Sequence, residues 1–154
     1  MIDPTQDGIT HINVYSQSQT ALGRFLSNFA NTPLETEDGK FNSIEGYWYW
    51  LSCRDDQLRT LHGWKAKSIG RKLKGKDWSN DPEFKRKIKL AIKTKLESNP
   101  KWLKALQQTT LPLEHYYVYG DQVIQPKNGH WILEWIGKIK EGTAVIAPKN
   151  PELF

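Results

Sequence analysis

The 154 residues are 38% hydrophobic and 25% charged, the proportions of a globular domain able to close one core without staples. One cysteine, Cys53, rules out an internal disulfide and points to a reducing, cytoplasmic setting. The absence of a basic start before an apolar run, and of any stretch near about 20 apolar residues, predicts a soluble chain with no export signal and no membrane partner.

In chain order, residues 10–15 alternate enough to predict a strand. Phe25, Leu26, Ser27, Asn28 and Phe29 follow a polar stretch, and Gly39 marks a turn before Lys40 and Phe41. Ser43 predicts an N-cap, with Glu45 in the first turn of a helix reaching about Cys53. Residues 55–61 predict a short helix ended by Gly63, with His62 a surface cap. Residues 64–73 predict another, with Gly70 its weak point. The clearest helix covers 82–98, capped by Asp81 with Pro82 at its first position. Phe84, Ile88, Ala91, Ile92 and Leu96 fall on one stripe; Lys85, Arg86, Lys89 and Lys93 fall off it. Asn99 and Pro100 open a further helix carrying Trp102, Leu103 and Leu106. Residues 114–119 predict a strand that pairs with 122–125 around Gly120 and Asp121. Residues 130–140 predict a last helix burying Ile132, Trp135, Ile136 and Ile139, and 143–147 a closing edge strand. Without repeats or linkers, residues 1–154 read as a single α+β domain, mainly helical with a few short strands.

The net charge of +5 is unevenly spread. Residues 65–104 hold 14 Lys/Arg against four acids, a local +10 that leaves −5 for the remainder. Charge of this density attracts polyanions, nucleic acid foremost, although a solvated helical face has the same composition. Lys72, Lys74, Lys85, Lys89 and Lys93 are the expected nucleic-acid contacts.

The four histidines and single cysteine lack zinc or haem spacing, and no phosphate-binding glycine loop or nucleophile elbow is present. No cofactor or metal is expected. What stands out is Ser43, Ile44, Glu45, Gly46, Tyr47, Trp48, Tyr49 and Trp50: a carboxylate in a helix's first turn, then four aromatics. Breaking an N-glycosidic bond builds positive charge on the sugar, which a carboxylate stabilises while aromatic faces hold the base. The plainer alternative is that Glu45 complements the helix dipole, worth about 0.3–1 kcal/mol, while the rings pack.

Residue order supplies a further pointer. Ile12, Asn13, Val14, Tyr15 and Ser16, then Leu26, Ser27, Asn28 and Phe29, then Asp38, Gly39 and Lys40, then Ser43, Ile44, Glu45, Tyr47 and Trp48 resemble the opening of the NADAR (YbiA-like) N-glycosidase family. Ala66, Lys67, Ser68, Ile69, Gly70 and Arg71 look like its Ala-(Lys/Arg)-x-x-Gly-Arg element. Trp78, then Leu113, Glu114 and His115, then Lys127 and Asn128 are similar to later elements in the same order. The resemblance implies that Glu45 is catalytic with a late aspartate, Asp121, assisting. It also implies that Tyr15, Ser27, Asn28, Trp48, Gly70, Arg71, Trp78, Glu114 and Asn128 bind the nucleotide. The chain departs from the pattern at Gly46, where the family carries His, at Ser52, where it carries Lys, and at Val123, near an expected Trp.

The function so implied is removal of ADP-ribose from guanine in nucleic acid, DNA rather than RNA, with ADP-ribose as product and, by family analogy, a modifying toxin as counterpart. Hydrolysis of small riboflavin-pathway ribotides and non-catalytic binding of ADP-ribose or nucleic acid are the alternatives.

Overall fold

The computed structural model describes residues 1–73 and 83–148. After a 3-10 turn at Pro4–Gln6, the chain runs through β1 (Ile12–Asn13), α1 (Ala21–Leu26), β2 (Leu34–Thr36), β3 (Gly39–Phe41) and α2 (Ile44–Cys53). A 3-10 turn at Asp56–Thr60 leads to α3 (Gly63–Leu73), followed by α4 (Phe84–Glu97) and α5 (Pro100–Gln108). Short strands β4 (Leu113–Glu114), β5 (Tyr117–Tyr119) and β6 (Gln122–Ile124) precede α6 (His130–Glu141). The architecture is the expected α+β domain, mainly helical, its strands forming three separate pairs. Among the described residues no helix is long and apolar enough to cross a membrane.

Helix α4 is the axis of the core. Ile88, Ala91, Ile92 and Leu96 are buried against α2, α5, α6 and β2. They form the apolar stripe that the 3.6-residue period predicts. Burying each of the two isoleucines and the leucine contributes about 1.5–3 kcal/mol. The same period puts Lys95, i+7 from Ile88 and i+4 from Ala91, on that stripe, and despite its charge it is only 3% exposed. Its Nζ donates to the Ser27 carbonyl oxygen at 3.1 Å and lies 4.8 Å from the centre of the Phe25 ring. Asp81 and Pro82, the expected start of this helix, lie outside the described residues.

Segments about 100 residues apart meet through the parallel pair β1–β4, with Ile12 opposite Leu113 and Asn13 opposite Glu114. The strand expected over 114–119 is two strands, because Tyr116 turns into the core between them and is fully buried. Asn13 clamps it: Oδ1 accepts from the Tyr116 N–H at 3.0 Å, and Nδ2 donates to the Tyr116 carbonyl at 3.0 Å. The expected β5–β6 hairpin is present, with Val118 opposite Val123.

Three local expectations fail for identifiable reasons. Helix α1 escaped sequence reading because Gly23 lies inside it. The glycine is needed there, since a Cβ would lie 2.2 Å from the Asn13 carbonyl oxygen. Gly63 begins α3 instead of ending the preceding turn, and the His62 carbonyl accepts the Ala66 N–H at 3.3 Å. Residues 143–147 form no strand; Ala144 and Ile146 dock on the core through their side chains alone.

Candidate active site

Helix α2 starts where Ser43 Oγ accepts the Gly46 N–H at 3.0 Å and donates to the Leu61 carbonyl at 2.8 Å. Helical spacing then divides its aromatics. Tyr47 and Trp50 turn to the core, with ring centres 4.7 and 5.4 Å from that of Phe41. The Tyr47 hydroxyl donates to Asp38 Oδ2 at 2.6 Å, and Trp50 Nε1 donates to Asp56 Oδ1 at 2.9 Å. Glu45, Trp48 and Tyr49, at i, i+3 and i+4, share the other face and line a cleft of about 350 Å³. That volume lies within the roughly 300–1,000 Å³ of small-molecule sites.

One wall is the segment 27–29, and its carbonyls anchor it to three helices. Ser27 O accepts from Lys95 of α4, Asn28 O from the Glu45 N–H of α2 at 3.0 Å, and Phe29 O from the Gly63 N–H of α3 at 3.1 Å. With the main-chain acceptors so occupied, the Asn28 side chain makes no hydrogen bond among the described residues and remains available to a ligand in the cleft. A second wall is a stripe of α3, Trp64, Lys67 and Arg71, at i, i+3 and i+7. Tyr117 and Tyr119, on one face of β5, form the third. Trp48 is backed by Trp131, stacked at 6.0 Å, and by the edge of Phe84 at 4.7 Å.

The Glu45 carboxylate makes no hydrogen bond or ion pair among the described residues. Burial pushes its pKa up to about 7, against the smaller downward pull of the Lys67 and Arg71 charges. The Tyr49 and Tyr117 phenols are raised too, first by burial and then by the Glu45 charge. His115 also lines the cleft, with Nδ1 2.6 Å from the Val14 carbonyl oxygen. Because a carbonyl only accepts, Nδ1 carries the proton. Burial holds the His115 pKa below its usual value, so the neutral ring keeps Nε2 as an acceptor. The cleft therefore combines a carboxyl that titrates near neutrality, two cations for an anionic group and flat rings for a base.

The structure brings Tyr15, Ser27, Asn28, Glu45, Trp48, Arg71 and Asn128 to this one cleft. It does not bring Asp121, which sits exposed on the turn between β5 and β6 outside the lining. Among the described residues, the imidazole of His115 and not a second carboxyl lines the cleft with Glu45. Glu114 is also outside the lining, engaged through its carbonyl with the Val14 N–H at 2.8 Å. Gly70 is a packing residue: a Cβ there would lie 2.2 Å from Tyr49 Cγ, so its lack of a side chain lets α3 seat the Tyr49 ring. Trp78 and Lys74 lie outside the described residues.

The chain matches no family model, no curated protein and no solved structure. The geometry of its own residues carries the functional reading.

Sequence reasoning did not single out Tyr49, Trp64, Lys67, His115, Tyr117 or Tyr119 as site residues. The i, i+3, i+7 spacing on α3 was the available signal for Trp64 and Lys67, masked by the surrounding lysines. Of the departures from the family pattern, Gly46, Ser52 and Val123 all lie outside the cleft lining. Position 46 faces the turn at Asp56–Thr60, where a Cβ would lie 2.5 Å from the Leu58 carbonyl oxygen and 3.2 Å from that of Leu61. Gly46→Ala is expected to lower unfolding free energy by about 1–3 kcal/mol, measured by urea denaturation, because backbone must move to admit the methyl.

The basic helix is less free than its charge suggests. Arg86 is bonded to Glu37 and Glu83, Lys87 pairs with Asp38 at 3.2 Å, and Lys93 with Glu97 at 2.9 Å. Lys85 and Lys89 lie over Trp131 and Trp135, at 5.5 and 5.3 Å. Lys72 and Lys85 are exposed, while Lys89 and Lys93 are half-buried. Among the described residues no group of three or more His, Cys, Asp or Glu could hold a metal ion.

Proposed function

We propose that this protein is an N-glycosidase of the NADAR type that removes ADP-ribose from guanine bases in nucleic acid. The observation that carries the reading is the Glu45 carboxyl, without a hydrogen-bond partner among the described residues, in an aromatic cleft beside Lys67 and Arg71. Support also comes from the convergence of Ser27, Asn28, Trp48 and Arg71, quoted for the resemblance from distant parts of the sequence, on that carboxyl.

In this mechanism Arg71 and Lys67 hold the diphosphate, Asn28 pairs with ribose hydroxyls, and the rings of Trp48 and Tyr49 hold the base. The bond between the anomeric carbon and nitrogen breaks, its electron pair leaving with the base, which takes up a proton. Ionised Glu45 stabilises the oxocarbenium-like sugar and accepts a proton from the water whose oxygen bonds to the anomeric carbon.

An oligonucleotide bearing ADP-ribosyl-guanine, incubated with the protein, is expected to release free ADP-ribose. Binding should weaken with salt, log affinity falling by about 0.7–0.9 per phosphate contact against log salt. Charge reversal at Lys85 and Lys89 should reduce that slope.

A second reading, hydrolysis of a small aminopyrimidine ribotide, is favoured by the ion pairs of Arg86, Lys87 and Lys93, which thin the basic face. Turnover of such a ribotide at a rate indifferent to salt and DNA, with the modified oligonucleotide left intact, would replace the first reading by the second.

A further inference from the structure

We propose that the mouth of the cleft, framed by Trp64 on α3 and Tyr119 on β5, is a stacking subsite. Its ligand is the nucleobase next to the modified one in a single-stranded nucleic acid. The inference rests on the glycosidase reading for the inner cleft and adds the class of polymer that reaches it.

Both rings line the cleft, yet Trp64 is 64% and Tyr119 55% exposed. A site built only for a free nucleotide gains nothing from leaving more than half of each of two large rings in water at its rim. Their surroundings suit a nucleic acid strand. Lys67 Nζ lies 5.6 Å from the Trp64 ring centre, 5.6 Å from that of Tyr117 and 5.8 Å from that of Phe29, so a cation is set among the rings. Tyr119 continues inward to Tyr117, their centres 6.2 Å apart, giving a run of aromatic surface from the rim towards Glu45.

On the opposite wall the stripe from Trp64 to Arg71 spans seven residues of helix, about 10 Å at 1.5 Å per residue. The Trp64 ring and the Lys67 and Arg71 cations that hold the diphosphate thus follow one another along the groove, so the base next to the modified one reaches the ring while the diphosphate stays on the cations. Bases inside a duplex already have both faces covered by their neighbours, so they cannot stack on Trp64. A single strand leaves those faces available.

The test measures, by fluorescence anisotropy, the affinity of the full chain for a mixed-sequence single-stranded oligonucleotide and its duplex. ADP-ribose affinity is measured by calorimetry. Trp64→Ala is expected to weaken single-strand binding about 10-fold more than ADP-ribose binding, with Tyr119→Ala acting in the same direction and Trp64→Phe retaining most of the affinity. Equal affinity for strand and duplex, or strand binding unchanged in both alanine variants, overturns the subsite. If ADP-ribose fails to bind while strand affinity still depends on Trp64, the glycosidase reading falls and the stacking subsite stands.

Discussion

Glu45→Gln is expected to abolish turnover and to make the protein more stable. The loss should be on the order of 10²–10⁴-fold in kcat/KM, because a neutral amide neither stabilises a cationic sugar nor takes a proton from water. The gain in stability follows from the carboxyl's pKa, about 7 in the fold against 4.5 when free. Between those values the folded chain keeps a proton that the unfolded chain has released, so stability falls as pH rises through the window. Above about pH 7 the ionised, half-buried carboxylate costs on the order of 3 kcal/mol, a cost the isosteric amide avoids. Urea denaturation should therefore show the variant more stable at pH 8 and nearly indistinguishable from wild type at pH 4. Wild-type kcat/KM should fall below about pH 7 as Glu45 takes up its proton. Lys67→Met should shift that acid limb upward, since Lys67 is the larger of the two influences lowering the Glu45 pKa. Full turnover by Glu45→Gln would remove the mechanism.

Lys95→Met is expected to stabilise the protein at neutral and acid pH, and by less as pH rises. Burial depresses the Lys95 pKa from 10.5 to about 7. Between these values the unfolded chain holds a proton that the folded chain lacks, so wild-type stability increases with pH across that window. At and below pH 7 the buried amine contributes a penalty of several kcal/mol, which Met does not carry. The substitution forfeits the bond to Ser27 O, about 1 kcal/mol, but that oxygen still accepts the Ala30 N–H at 3.1 Å. A net gain of roughly 2–4 kcal/mol at pH 6, vanishing above about pH 10.5, is the expected result of chemical denaturation. Because Glu45 favours low pH and Lys95 high pH, their joint contribution to stability has its minimum near pH 7. The double variant Glu45→Gln/Lys95→Met should lack that dip. Lys95→Met should also raise KM, since Lys95 fixes the Ser27 carbonyl behind the cleft wall.

Both residues show that a site can cost stability: a carboxyl with no hydrogen-bond partner among the described residues and a buried amine are each costly, and each lies at or directly behind the cleft. Glu45 was legible in the sequence, because Ser43 announces a helix start and Glu45 falls in its first turn. Lys95 was legible only as a position, since its spacing from Ile88 and Ala91 puts it on the apolar stripe. Its acceptor, the Ser27 carbonyl, lies 68 residues away in the chain and no local pattern encodes it.

The elements with strong local signals were readable in the same way. α2, α4, α5 and α6 carry caps, a proline at a first turn or an apolar period of 3.6, all set by neighbours within a few residues. Strands of two or three residues carry too few positions to show a period, and β1 and β4 exist only because their partners arrive from about 100 residues away. Gly70 looked like a weak point and Gly46 like a departure, while Gly23 carried no signal at all. Each is where another segment's backbone or ring comes too close for a methyl, a distance no local pattern encodes.

By itself, then, the sequence determined the α+β class, the main helices, the carboxylate-and-aromatic helix face and the concentration of positive charge. Only the tertiary structure decided that Tyr47 and Trp50 pack inward while Trp48 and Tyr49 open to the cleft, that His115 and not Asp121 lies there with Glu45, and that Lys67 and Arg71 face the same space. Periodicity assigns residues to faces of one element. Which faces meet, and so which charges lose their water, depends on packing between elements far apart in the chain.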